Sequence, residues 1–351
     1  MKICIISNLY PPHTRGGAEK IVQLQANMLK NQGHEVIVIS TKPKRRLVCS
    51  EENGIKIYRF KPLNLFYYLN DHKHSTFVRF LWQIYDTLND HSMFKVNKVL
   101  KKEKPNIVIT HNLKGIGMLT LWAIRYRKIK HMHTLHDIQL IVPSGLMLKN
   151  AEKTFLVTGW PTKFYQKLIK WIFKSPDIIA SPSNWLLELH DKYNYFPKSK
   201  KVVLRNPLSS TISSEAKQQK QNSYLFIGQL EEHKGIKFLV NFWKQNNIQS
   251  KLFIAGVGKL NSSDFGQNQQ ISFEGHVSQN RLKEIFKTID FLIMPSLCYE
   301  NSPTVILEAM QNATPAICAD IGGAAELVKE NNIGFTFEAA DPQSFEAVLS
   351  K

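Results

Sequence analysis

At 351 residues the chain is long enough for two domains with separate cores, and its 43% apolar and 21% charged residues are ordinary for a soluble globular protein. No apolar stretch reaches the length of a membrane span, Met1-Lys2 leads straight into an apolar strand rather than a signal-peptide pattern, and Cys4, Cys49, Cys298 and Cys318 lack metal-site or redox spacing, which fits a reducing cytoplasm. The net charge of +18 is lopsided: 34 Lys and Arg stand against 13 Asp and Glu up to Asn206, a balance of +21, and 12 against 15 beyond it, a balance of −3.

The chain opens with a predicted strand, Lys2 to Ser7, a loop from Asn8 to Arg15, and the run Gly16-Gly17-Ala18-Glu19. A helix follows from about Ala18 to Asn31, closed by Gly33, and Glu35 to Ser40 is the next strand. In this βαβ unit, glycines at the first strand-to-helix turn let backbone N–H groups approach a phosphate, or simply serve a tight turn. The wider glycine spacing of the dinucleotide fingerprint is absent. After a basic loop, Lys42 to Arg46, a third strand runs from Gly54 to Phe60. The aromatic segment Pro62 to Leu69 then either rests in a lipid interface or covers the core. A helix around Val96 to Glu103 leads to the strand Asn106 to Thr110, ending at His111-Asn112. The strand His131 to Leu135 delivers His136 to its C-terminal end, where open α/β sheets bind ligands. A structural role is the alternative for this histidine. Lys163 to Lys174 reads as a basic amphipathic helix, lying on a membrane or packing one face inward. Asp177 to Ala180 is another strand.

The Ser-, Gln- and Lys-rich stretch Asn206 to Asn222 reads as a linker, after which strand-helix alternation restarts. Tyr224 to Ile227 is a strand, followed by the loop Gly228 to Gly235 and a helix. Lys251 to Ala255 and Ile271 to Glu274 are strands, and a helix begins near Gln279. Phe291 to Met294 is a buried strand ending at Pro295, with Glu300 in the loop beyond it. Ser302 is placed as N-cap and Pro303 as the first helical residue. The N–H groups of Thr304 and Val305 would then face the loop as a phosphate site, and Glu308, four residues after Thr304, shares its helix face. Two carboxylates flanking an anion-binding helix end suit a nucleotide-sugar; a surface pair that only keeps a helix soluble is the alternative. The expected fold class is α/β, two doubly wound Rossmann-like domains facing a cleft, 1–206 and 207–351.

These residues, taken in order, resemble the family-4 retaining glycosyltransferases of GT-B fold (group 1). The resemblance runs through Gly16 to Glu19, Gly33-His34-Glu35-Val36, His136-Asp137, Ser181-Pro182-Ser183 and Gly228 to Gly235. It continues through Pro295-Ser296, Glu300 to Met310, Thr314-Pro315, Asp320 to Gly323 and Glu326-Leu327-Val328. It implies that 1–206 is the acceptor side and 207–351 binds the donor. Glu300 would hold donor-sugar hydroxyls, Glu308 the nucleotide ribose, and the N–H groups of Ser302, Thr304 and Val305 the diphosphate. Lys234 would neutralise the leaving diphosphate, His136 would approach the donor sugar, and Gly16 and Gly17 would let the backbone come close. The family retains anomeric configuration and uses no metal or cofactor; no Asp-x-Asp occurs here.

Two departures stand out. Gln229 occupies a position where the family usually has Arg, which removes one charge-assisted contact to the donor. The chain also stops at Lys351, soon after Asp341-Pro342, without the crossover helices usual in that family. The expected reaction moves a sugar from a nucleotide-diphosphate-sugar to a saccharide or polyprenyl-diphosphate-linked acceptor. It would take place in the cytoplasm or peripherally on the inner face of the plasma membrane, with the basic domain on an anionic membrane surface. A sugar-nucleotide epimerase of the same fold and a non-catalytic nucleotide-sugar binder remain open alternatives. Nucleic acid is not an expected partner, for want of an arginine-rich motif, recognition helix or aromatic stacking set.

Overall fold

The computed structural model of the protein describes residues 1–44, 46–208 and 222–350. Its first half runs β1 (Lys2–Ile6), α1 (Ala18–Asn31), β2 (Glu35–Thr41), β3 (Val48–Glu52), β4 (Ile55–Phe60), α2 (Thr76–Thr87), α3 (Asp90–Glu103), β5 (Ile107–Thr110), α4 (Thr120–Tyr126), β6 (Lys130–Thr134), α5 (Phe155–Thr158), α6 (Trp160–Phe173), β7 (Ile178–Ser181), α7 (Asn184–Lys192) and β8 (Lys200–Val203). The second half runs β9 (Ser223–Ile227), α8 (Ile236–Gln245), β10 (Lys251–Ala255), β11 (Ile271–Gly275), α9 (Gln279–Thr288), β12 (Phe291–Met294), α10 (Thr304–Gln311), β13 (Ala316–Ala319), α11 (Gly322–Glu330), β14 (Gly334–Phe337) and α12 (Pro342–Leu349). These elements form two compact units. One comprises Met1–Ile141, Trp160–Pro182 and Leu187–Pro207; the other comprises Val142–Gly159, Ser183–Leu186 and Leu208–Lys351. Of the stretch 206–222 read as a linker, 209–221 lie outside the described residues, as does residue 45 of the basic loop.

The first unit is built on an eight-stranded sheet of order β3-β4-β2-β1-β5-β6-β7-β8. Every pairing in it is parallel except the β3–β4 hairpin. β1 is nearly all apolar because helices cover both faces of a parallel sheet. Strand order reverses between β1 and β5, so the loops after these two strands bracket the ligand crevice of a doubly wound sheet. α1 lies where its periodicity predicts, burying Ile21, Val22 and Ala26, and Gly33 at φ 84° ends it.

Several elements differ from expectation. β3 was not predicted, since Val-Cys-Ser-Glu-Glu has almost no apolar content and forms an exposed edge strand. α2 was missed because it carries Phe77 and Phe80 outward while burying Trp82 and Asp86, which hides the helical period. α3 starts at Asp90, well before Val96, because the Asn89 side chain caps it by accepting from the Ser92 N–H at 2.9 Å. The Pro62–Leu69 segment mostly covers the core. Phe66 and Tyr67 are buried, Phe66 stacks on Trp82 at 5.4 Å, and the Trp82 indole donates to the Phe66 carbonyl at 2.8 Å.

The second unit has a six-stranded sheet of order β11-β10-β9-β12-β13-β14, parallel throughout. Its reversal falls between β9 and β12. Phe226, Leu239, Trp243, Ile254, Ile293 and Phe345 form the centre of its core. Both units are therefore doubly wound α/β, as the alternation in the sequence implies.

A polar cluster sits inside the first unit. The Thr110 hydroxyl lies 2.7 Å from His131 Nε2 and 2.8 Å from His133 Nδ1, all three residues being buried. Burial, then the nearby Arg125 guanidinium, pushes His131 down to about 4; burial and neighbouring histidines push His133 well down. An unfolded histidine titrates near 6.5, so the native state binds fewer protons below that pH. The stabilisation is complete above about 6.5 and is lost as pH falls towards 4. Asp86 works in the opposite sense, since burial raises it to about 7 although the Gly115 N–H donates to it. Comparing variants separates the two. Between pH 6.5 and 4.5, chemical denaturation should show the wild type losing about 2 kcal/mol more stability than His131→Asn.

Candidate functional site

In the second unit, the loops after β9, β10 and β12 are stitched together at the switch point by backbone contacts that need glycine. Gly235 has φ 76°, and a Cβ there would sit 1.9 Å from the Pro295 carbonyl oxygen. Gly256 has φ 150°, and its Cβ would meet the Gly228 oxygen at 1.8 Å. The Leu297 N–H donates to the His233 carbonyl at 2.9 Å, and the Leu230 N–H to the Val257 carbonyl at 3.1 Å. The short turn Glu232–Lys234 is thereby pressed against the end of β12.

This contact brings Lys234 onto Glu300, forming an ion pair. The Ser296 hydroxyl donates to the same carboxylate oxygen at 3.1 Å, and both ion-pair side chains are about four-fifths buried. Burial alone would lower the Lys234 ammonium, but the Glu300 charge and hydrogen bond outweigh it and hold it raised, so Lys234 stays charged. The Glu300 backbone is held as well. Its carbonyl accepts from the Gly323 N–H at 2.8 Å, and Gly322 at φ 67° permits that approach.

A second strap belongs to the same unit. Leu148 bridges Cys298, the Tyr299 N–H donates to Met147 at 3.0 Å, and the Tyr299 hydroxyl donates to Glu152. Trp185 stacks on Tyr299 at 5.2 Å. Sequence reading singled out none of these supports, nor Ser296 as a Glu300 partner. Nothing in the spacing links residues 147–152 to 298–299; only the Ser296-to-Glu300 interval of four was legible.

The helix after Glu300 starts later than predicted. α10 begins at Thr304, with Pro303 as its N-cap at ψ 128°, and no side chain caps it. The extended ψ of Pro303 keeps it out of the helix, so Pro303 stands where Ser302 was expected to cap. Thr304 and Val305 are thus the first two helical residues, whose N–H groups have no carbonyl one turn earlier inside the helix. Thr304 and Glu308, four apart, lie on one face, both half-buried. Gln229 is exposed in the loop after β9.

In the first unit, Gly16 is exposed with no atom within 4 Å of a Cβ placed on it, and its N–H donates to Glu19 at 3.0 Å. The structure therefore gives Gly16 no close packing that demands glycine. Gly17 is the N-cap of α1. His136 follows β6, and its Nε2 lies 2.7 Å from Nδ1 of His111, which follows β5 at the switch point. Burial lowers both, His136 to about 4, so both imidazoles are neutral near pH 7 and one donates to the other. His111, noted in sequence only as a strand end, is the neighbour that orients His136. Among the described residues no group of three or more His, Cys, Asp or Glu is placed to hold a metal ion.

The Gly235–Pro295 contact leaves no room for a methyl group. Gly235→Ala should cost at least about 2 kcal/mol in denaturant unfolding, through both strain and a displaced β12 loop.

Residues 15–210 match the family described as Glycosyltransferase Family 4, and residues 210–351 match Glycosyl transferases group 1. Among similar proteins, an Escherichia coli UDP-Gal:alpha-D-GlcNAc-diphosphoundecaprenol alpha-1,3-galactosyltransferase is 27% identical, over 94% of this chain and 82% of that one. An uncharacterized 42.6 kDa protein in the cps region of Klebsiella pneumoniae is 26% identical, over 93% and 87%. Two solved structures share the fold. Sucrose-phosphate synthase from Thermosynechococcus elongatus has a TM-score of 0.72 at 16% identity, covering 99% of this chain and 88% of its own. HepE from Anabaena, in complex with UDP, has a TM-score of 0.67 at 16% identity, covering 100% and 89%. With family matches running from residue 15 to the end of a chain of two doubly wound units, the protein belongs to the family-4, group 1 glycosyltransferases of GT-B fold.

Proposed function

We propose that the protein transfers a sugar, with retention of anomeric configuration and without a metal ion, from a nucleotide-diphosphate-sugar to a lipid-linked or cell-surface saccharide at the cytoplasmic face of a membrane. The observation that carries this reading is the convergence, at one switch point, of the Lys234–Glu300 pair with the start of α10 and Glu308 on its face. Such a corner offers cation, backbone donors and carboxylates at spacings suited to phosphate between two hydroxyl-bearing groups.

In this proposal the diphosphate lies against the N–H groups of Thr304 and Val305, with Ser302 beside them. An ammonium has three donors, so Lys234 can reach the diphosphate while still bound to Glu300. As the glycosidic bond to phosphate breaks, charge develops on the leaving oxygen, and a largely buried cation stabilises it more than water would. Glu300 would receive donor-sugar hydroxyls and Glu308 those of the ribose. The leaving diphosphate would take the acceptor's proton on the same face. On the first unit, neutral His136, held by His111, would accept from or donate to the sugar, and Gly16 and Gly17 leave the backbone open to approach. Like the Escherichia coli relative, named for a diphosphoundecaprenol acceptor, this chain would act on a lipid-linked saccharide. The +21 balance of residues 1–206 suits an anionic membrane surface around it.

Two measurements test the donor site. In a thermal-shift screen of nucleotide-sugars, one ligand at a hundredfold its dissociation constant should add about 2.7 kcal/mol of stability, and Glu308→Ala should abolish the shift. No shift with any nucleotide-sugar at millimolar concentration would sink the reading. Gln229→Arg restores a charge-assisted contact and should tighten donor binding about tenfold by titration calorimetry; unchanged affinity would place Gln229 outside the diphosphate's reach.

A further inference from the structure

Helices α3, α4 and α6 of the first unit pack side by side as one layer. The Arg127 guanidinium just past α4 donates to the Asn97 side chain of α3 at 2.7 Å. Trp122 of α4 meets Trp171 of α6 edge-on at 5.1 Å, and Arg125 donates to the Ile172 carbonyl at 2.7 Å. The outer side of this layer is unusual in two respects. First, it is aromatic: Phe94, Trp122, Tyr126, Trp160, Phe164 and Trp171 are between 36% and 78% exposed. On α6 these fall at 160, 164 and 171, one face of a helix, while Tyr165, Ile169 and Ile172 fill the core on the other. The helix is thus apolar on both sides, which a purely water-facing helix is not.

Second, the layer is cationic with almost no counter-charge. The three helices hold eight cations: Lys95, Lys98, Lys101 and Lys102 on α3, Arg125 on α4, and Lys163, Lys167 and Lys170 on α6. They hold two carboxylates, Asp90 and Glu103, and Glu103 is buried against Tyr58 and Lys2. Asp90, at the start of α3, is their one exposed carboxylate. Two copies of such a face would repel one another, which argues against self-association. An anionic lipid surface satisfies both features, since tryptophan and tyrosine rings settle at the headgroup level and lysines reach the phosphates. Among the described residues no helix is long and apolar enough to cross a membrane, so the contact is one of docking.

We infer that the α3–α4–α6 face of the first unit docks on an anionic phospholipid bilayer, its aromatic side chains entering the interface and its lysines binding the headgroups. This rests on the membrane-held acceptor of the proposed function and assigns the surface that meets the membrane. The full chain is sedimented with vesicles of phosphatidylcholine alone and with about one-third phosphatidylglycerol, at low and high salt. Binding should require the anionic lipid and weaken with salt, and the variant Lys163→Glu/Lys167→Glu should bind about a hundredfold more weakly or worse. Brominated acyl chains should quench tryptophan emission, and much less so in Trp160→Phe/Trp171→Phe. Indifference to lipid charge, full binding by the charge-reversed variant, or sedimentation without quenching would each overturn the inference. A nucleotide-sugar shift retained in Lys163→Glu/Lys167→Glu shows that the variant is folded. It also separates failure of the docking face from failure of the donor site.

Discussion

The approach of Gly235 to the Pro295 carbonyl is the constraint on which the second unit's candidate site depends. It is a contact between the loops that follow two adjacent strands of a parallel sheet, at the place where strand order reverses. Only a residue without a Cβ, in a left-handed conformation, lets the turn carrying Lys234 descend far enough to meet Glu300. The ion pair is thus a consequence of backbone packing. Its partial burial strengthens the attraction, and the Ser296 hydroxyl satisfies part of the carboxylate's remaining capacity.

The rest of the second unit's switch point reinforces that geometry from other directions. Gly322 and Gly323 bring the start of α11 against the Glu300 backbone, and the strap 147–152 binds the other side of the loop through Tyr299. A loop fixed on so many sides holds its carboxylate with little freedom, which is what a charge-stabilising site requires. The first unit follows the same logic with different chemistry. Its switch point carries a pair of neutral histidines, one orienting the other, where the second unit carries a charged pair.

Charge and exposed aromatic residues are unevenly distributed between the units. Nearly all excess cations lie in the half that also exposes the aromatic layer of α3, α4 and α6, and the half with the Lys234–Glu300 pair is close to neutral. A basic amphipathic helix at 163–174 was legible as an alternation of Lys with apolar residues. Which of those apolar residues face outward was not. Phe164 and Trp171 are exposed whereas Ile172 is buried, because the direction of each side chain depends on where the core of the sheet lies.

The amino-acid sequence by itself determined the alternation of strand and helix in both halves, since short apolar runs alternating with helical patterns favour a parallel sheet covered by helices on both faces. Local spacing also marked Glu300 and His136 as residues beyond strand ends and Glu308 as a residue on the Thr304 face of a helix, whereas Lys234 was singled out by the family resemblance alone. Tertiary structure decided what those residues touch. The pairing of Lys234 with Glu300 spans 66 positions, that of Tyr299 with Glu152 spans 147, and neither leaves a periodic trace in the chain. It also moved the start of α10 to Thr304, where an extended Pro303 takes the N-cap position expected for Ser302. Local patterning records what a segment buries; which distant segment it is buried against depends on the order of the strands in the sheet, a property of the whole chain.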